Sequence, residues 1–164
     1  MIRILGPEDA AVFHALRLEA LTAEPGSFGS SAEEQAGRSL AQVAKTLSET
    51  TMFGAFVGDE LVGLAGFARM APVKEQHKGT VWSMYLRPST RGSGLAGALL
   101  DKVIDHARGV VEELRLVVVV DNAPAVRLYE SRGFVRWGVE PYALKLGEGV
   151  YTTDGYYALS LMPR

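Results

Sequence analysis

The sequence has no cysteine in its 164 residues. That excludes disulfides, thiolate metal sites and a cysteine nucleophile together, and it suits a reducing compartment. An excess of positive charge is also missing. Seventeen lysines and arginines against nineteen aspartates and glutamates give a formal net charge of −2, so a nucleic-acid phosphate backbone is not the expected partner. Histidine is sparse: His14, His77 and His106 include no pair at a metal-ligand spacing such as i, i+4. They read as solvated or internally satisfied side chains, and no metal is expected. No apolar run approaches the ~20 residues of a membrane helix. The opening MIRILGPED turns acidic at Glu8 and Asp9 and lacks the apolar core of a secretory signal. The expectation is a cytoplasmic protein whose partners include neither membrane nor nucleic acid.

What is present is an ordinary globular balance, 48% hydrophobic and 22% charged, in a length that suits one domain over residues 1–164. Residues 2–5 read as a strand. Pro7, Glu8 and Asp9 suit a helix first turn, where proline fits and acids meet the positive dipole end; Phe13, Leu16, Ala20 and Leu21 then recur at helical spacing. A loop over 25–31 precedes a second helix over 39–48. Strands over 52–57 and 61–70 flank the turn Gly58-Asp59, a hairpin signal. A strand over 80–86, a glycine-rich turn and a helix over 94–108 follow. The run 114–120, LRLVVVV, is apolar enough to suggest a strand covered on both faces in a parallel part of a sheet. A short helix over 123–132 stops at Gly133, in the C′ position. Strands over 134–139 and 156–161 close the chain, around an irregular 141–155 with a small hairpin at 147–149. The order β α α β β β α β α β β points to one α/β domain with a mixed sheet.

The chemistry concentrates at Arg91-Gly92-Ser93-Gly94-Leu95-Ala96-Gly97, between a strand and a helix. Such a loop offers backbone N–H groups to a phosphate, and the helix N-terminus adds positive potential. One reading is dinucleotide binding, since Gly92-x-Gly94-x-x-Gly97 fits the fingerprint and Asp121 stands where a ribose-binding acid would. However, Arg87-Pro88-Ser89-Thr90-Arg91 separates strand from glycine, and the motif lies too late in the chain to build the remaining strands of that fold. The other reading is coenzyme A binding. Arg91-x-x-Gly94-x-Ala96 fits the pattern [QR]-x-x-G-x-[GA]. Some thirty residues on, Asn122-x-x-Ala125-x-x-Leu128-Tyr129-x-x-x-Gly133-Phe134 completes N-x-x-A-x-x-L-Y-x-x-x-G-F at every fixed position. With both motifs in order, over residues 80–134, the sequence resembles the GNAT N-acetyltransferase superfamily, and the order of elements matches over nearly the whole chain.

The resemblance implies a mixed, mostly antiparallel central sheet with a parallel, splayed strand pair and helices on both faces. It also implies transfer of an acetyl group from acetyl-CoA to a primary amine on a small molecule or peptide, by direct attack; no G-x-S-x-G elbow offers a serine nucleophile. The pantetheine arm would lie between the strands at 80–86 and 114–120, bonded to backbone around Met84, Tyr85 and Leu86. An N–H there would also serve a developing oxyanion. N–H groups of Arg91, Gly92, Ser93, Gly94, Leu95 and Ala96 would cradle the pyrophosphate. Tyr129 would be the general acid toward the coenzyme sulfur: a phenol of pKa about 10 is protonated at pH 7. Asn122, doubling as a helix N-cap, and Ala125 would border the pantetheine, and Arg132 would add positive charge beside it.

The acceptor side is less defined. An amine of pKa about 10.4 is protonated at pH 7 and needs a base, yet Thr80-Val81-Trp82-Ser83-Met84-Tyr85 carries no carboxylate. Ser83 is a water holder rather than a base. Glu33 and Glu34 are candidates to attract a cationic amine, and Phe28, Trp82 and Tyr142 are candidates to line the acceptor pocket. Family habit suggests a homodimer. A non-catalytic acyl-CoA-binding sensor or interaction module is the alternative of another class.

Overall fold

Strands β2 (Thr51–Val57) and β3 (Glu60–Arg69) are buried along nearly their whole length, because helices cover the sheet on both sides. In the computed structural model, which describes residues 1–163, the chain opens with β1 (Ile2–Ile4), α1 (Ala10–Ala23), α2 (Ala32–Ala36) and α3 (Leu40–Glu49), which precede that hairpin. It continues through β4 (Lys78–Leu86), α4 (Leu95–Arg108), β5 (Glu113–Val119), α5 (Ala123–Ser131), β6 (Val135–Glu140), β7 (Lys145–Gly147), β8 (Val150–Tyr151) and β9 (Asp154–Ser160). Seven strands form one sheet in the order β1-β2-β3-β4-β5-β9-β6. Every neighbouring pair is antiparallel except β4–β5, as the mixed, mostly antiparallel reading expects. β7 and β8 make the small hairpin around 147–149.

Two cores result. In one, Leu99, Leu100, Val103, Ile104 and Ala107 of α4 pack with Ala55, Ala65 and Phe67 of the hairpin and with Leu114, Leu116 and Val118 of β5. In the other, Phe13, Leu16, Ala20 and Leu21 of α1 and Val43 and Leu47 of α3 pack with Met52, Leu61 and Leu64. Each fully buried leucine contributes roughly 1.5–3 kcal/mol, so these stripes dictate which helix covers which face. His106 is satisfied internally. Its ring meets Phe67 and Phe53 edge-on at 5.2 and 6.0 Å, and Nε2 lies 3.2 Å from the Thr51 hydroxyl.

β5 departs from its expected burial. Leu114, Leu116 and Val118 are buried, but Val117 is 49% exposed, because one face of this strand borders an opening in the sheet rather than a helix. β9 starts at Asp154, two residues earlier than its apolar run suggests, and pairs Asp154 with Val119 of β5 and Glu140 of β6.

Candidate active site

The opening is set by one extra residue. β4 pairs with β5 only through Lys78, Gly79 and Thr80. On its other edge β4 skips register against β3, where Tyr85 faces Leu64 and Trp82 faces Gly66. Within that bulge Ser83 takes φ +57°, a region that side-chain-bearing residues rarely enter. A bulge bends its strand, and beyond Thr80 the facing edges of β4 and β5 carry no pairing between them. The result is a cavity of about 960 Å³ that Val117 and Val119 border from β5, and Trp82, Ser83 and Met84 from β4.

At one end lies the glycine loop. Gly92 and Gly94 sit at φ +78° and +82°, and a Cβ at either would meet no atom within 4 Å. Backbone conformation, not space, therefore demands glycine there. Gly94 caps α4 without a side-chain hydrogen bond. The helix's first backbone bond joins Ala98 N–H to the Gly94 carbonyl at 3.1 Å, which leaves the amides of Leu95, Ala96 and Gly97 without an intrahelical acceptor. Arg91 folds back: its Nε donates to the Leu86 carbonyl at 3.0 Å and its Nη2 pairs with Glu24. Arg132 lies over Gly97 and pairs with Asp101 at 3.1 Å, a contact that holds its pKa above the usual arginine value.

On the far wall, α5 begins with the Asn122 Oδ1 accepting from Ala125 N–H at 3.3 Å, the cap the sequence suggests. It ends at Gly133, φ +92°, where the Phe134 N–H returns to the Tyr129 carbonyl at 3.2 Å. This short, doubly capped helix fixes Tyr129, which is 6% exposed and meets Phe134 edge-on at 5.9 Å. The Tyr129 hydroxyl has no hydrogen-bond partner among the described residues, yet is not sealed in; it borders the cavity. Burial pushes its pKa well up, so it keeps its proton throughout the physiological range.

Met84, Tyr85, Leu86, Arg91, Gly92, Gly94, Ala96, Asn122, Ala125, Tyr129 and Arg132 all border this one cavity, as do Phe28, Trp82 and Ser83. Ser93 and Leu95 contribute backbone position only. The Ser93 hydroxyl donates to the Thr90 carbonyl at 2.6 Å, and Leu95 packs on the core. Three residues expected on the acceptor side, Glu33, Glu34 and Tyr142, do not border this cavity. Glu34 closes a capping box, its carboxylate accepting from Ser31 N–H at 3.1 Å. Glu33, in the same first turn, is exposed. Tyr142 is 75% exposed and rests against Tyr151 at 5.2 Å. The Tyr85 hydroxyl donates to Glu19 at 3.3 Å.

Among the polar residues that border the cavity without having been expected there are Arg17 and Asp154. Arg17 is 8% exposed and donates to the Ser83 hydroxyl at 2.5 Å, holding the bulge residue in place. Asp154 is buried and its Oδ1 has no partner among the described residues. Burial raises its pKa, against the opposing effect of Thr152.

Comparison with known proteins agrees with this geometry. An acetyltransferase of the GNAT family from Streptococcus pneumoniae superposes with a TM-score of 0.87 at 21% identity, over 98% of both chains. YncA of Salmonella typhimurium, solved with its cofactor acetyl-CoA, gives 0.81 at 21% identity, over all of this chain and 95% of that one. In sequence, the mycothiol acetyltransferase of Renibacterium salmoninarum is 34% identical over 116 residues, 65% of this chain but 34% of that protein. The chain thus spans about a third of that curated relative. The model of the acetyltransferase (GNAT) family matches residues 15–134, from α1 through the glycine loop to the end of the tyrosine motif, and the chain belongs to that family.

Proposed function

We propose that the chain is an N-acetyltransferase that moves an acetyl group from acetyl-CoA to a primary amine by direct attack. The observation that carries this reading is the parted β4–β5 edge with a phosphate-type loop at one end and, on its wall, the unpartnered hydroxyl of the largely buried Tyr129. The residues present fit the coenzyme. Unpaired strand edges accept an extended amide-bearing arm, and the amides after Gly92 accept a diphosphate. When bound, acetyl-CoA supplies an acyl thioester.

The chain's own residues would do the rest. Amides of the loop and the N-terminus of α4 would bind the phosphates, and the β4 edge near Met84 would orient the arm. Tyr129 would hold a proton for the departing sulfur. Burial raises its pKa, and the same surroundings would move the pKa of a thiol beside it in the same direction. Asp154 would take the ammonium proton. Burial moves its carboxyl toward neutrality, the direction a base working near pH 7 requires. A cysteine-free chain with these properties suits the cytoplasm.

Titration calorimetry with acetyl-CoA and with NADH, followed by thiol release across an amine panel, tests the proposal. Binding of acetyl-CoA alone, with amine-dependent thiol release, is expected. A preference for NADH would overturn it, and acetyl-CoA binding without acetylation of any amine would favour a sensor or interaction module.

A further inference from the structure

Resting on that reading, we propose that the acceptor amine also bears a carboxylate, and that Arg17 is the group that receives it. Arg17 lies on the apolar stripe of α1, between Leu16 and Ala20. Its guanidinium is flanked by the rings of Phe28, 5.2 Å away, and Trp82, 5.8 Å away. Its one hydrogen bond among the described residues is to the neutral Ser83 hydroxyl.

No carboxylate of the described residues pairs with it. The acids nearest in the chain are engaged elsewhere, Glu19 by Arg87 at 2.8 Å and Glu24 by Arg91. Arg38 adds like charge, and together with burial lowers the Arg17 pKa. Arginine nonetheless stays protonated in proteins, and an uncompensated buried charge is costly. The molecule keeps such a charge at the wall of its cavity, with the Nε and Nη2 groups unpartnered and not sealed off.

A planar guanidinium with free N–H groups is the natural fork for a carboxylate, and the two flanking rings keep competing water away. Of the three arginines that border the cavity, Arg91 and Arg132 are paired with carboxylates, which leaves Arg17 as the cation for a carboxylate beside the amine that this reading supplies. That pattern fits a free amino acid. It disfavours a polyamine, which would bring more positive charge to Arg17, and a peptide N-terminus, whose first carboxyl is an amide.

The test compares L-leucine, L-methionine and L-glutamine with their carboxamides as acceptors. Charge-assisted hydrogen bonds of this kind separate acid from amide by roughly 10- to 150-fold in kcat/KM. In Arg17→Met the separation should collapse to within about threefold, and Arg17→Lys should restore part of it. Calorimetry of the wild-type protein with the N-acetylated acids and their amides reads the same preference without turnover or a variant. If acetyl-CoA fails to bind but the acetylated acids are preferred through Arg17, the transferase reading falls and the carboxylate site stands. If acetyl-CoA turns over yet none of the three acids is preferred to its amide, or Arg17→Met keeps the preference, the carboxylate site is overturned.

Discussion

Tyr129→Phe separates chemistry from folding more cleanly than other changes at this site. The lost hydroxyl has no partner among the described residues, so no protein hydrogen bond breaks. The ring keeps its edge-on contact with Phe134. Removing a hydroxyl that faces the cavity without a protein partner changes stability by no more than about 1 kcal/mol, which for a chain of this size moves Tm by at most about 2–4 °C. Loss of a general acid costs about 10²- to 10⁴-fold in rate, or about 2.7–5.4 kcal/mol of barrier. The expected result is a kcat lower by that factor, an acetyl-CoA Kd within about threefold and a Tm within that margin. Thiol-release kinetics with a pre-steady-state phase, calorimetry and thermal melting read the three. An unchanged rate in the chemical step removes Tyr129 from the acid's role, and a large fall in Tm shows that the hydroxyl serves the fold.

Asp154→Asn should lower kcat/KM by about 10²-fold or more and abolish the acidic limb of the pH–rate profile. Its stability effect runs the other way. A carboxyl whose pKa is raised by burial is destabilising once pH exceeds that raised value, and neutral below the ordinary carboxylate range. The variant should therefore melt no lower than the wild type at pH 7, and the two should converge below about pH 4; a marked loss of Tm at pH 7 would refute this account. Gly94→Ala places a side chain at φ +82°, a strain of roughly 1 kcal/mol, so acetyl-CoA affinity should weaken about fivefold. Gly109→Ala, at φ −91° with nothing within 4 Å, serves as the control and should leave affinity unchanged and Tm the same or slightly higher.

The parts legible in the sequence are those fixed by local rules. Gly133 announces itself because helices end in left-handed residues, and Gly92 and Gly94 because a loop of this kind needs the same freedom. The stripe Leu99–Val103–Ala107 needs only helical spacing. What stayed hidden depends on contacts between distant segments. Arg17 meets Ser83 across 66 positions, and its one local sign is a charge on the otherwise apolar stripe of α1. Asp154 reaches the cavity because β9 begins two residues before its apolar run, pulled into register by Val119. A local rule covers Glu34 as well: Ser31 followed by a glutamate three residues on is a capping box, which places that carboxylate against the backbone.

The three rungs joining β4 to β5 have a consequence for the molecule as a whole. Among the described residues they are the sheet's sole direct stitch between the leaf that holds β1 through β4 and the leaf that holds β5, β9 and β6. Whatever bridges the remaining seam engages the native state and not the unfolded chain. A ligand seated there would therefore add to stability by mass action, so that the persistence of this fold would depend on the supply of that ligand as well as on its own sequence.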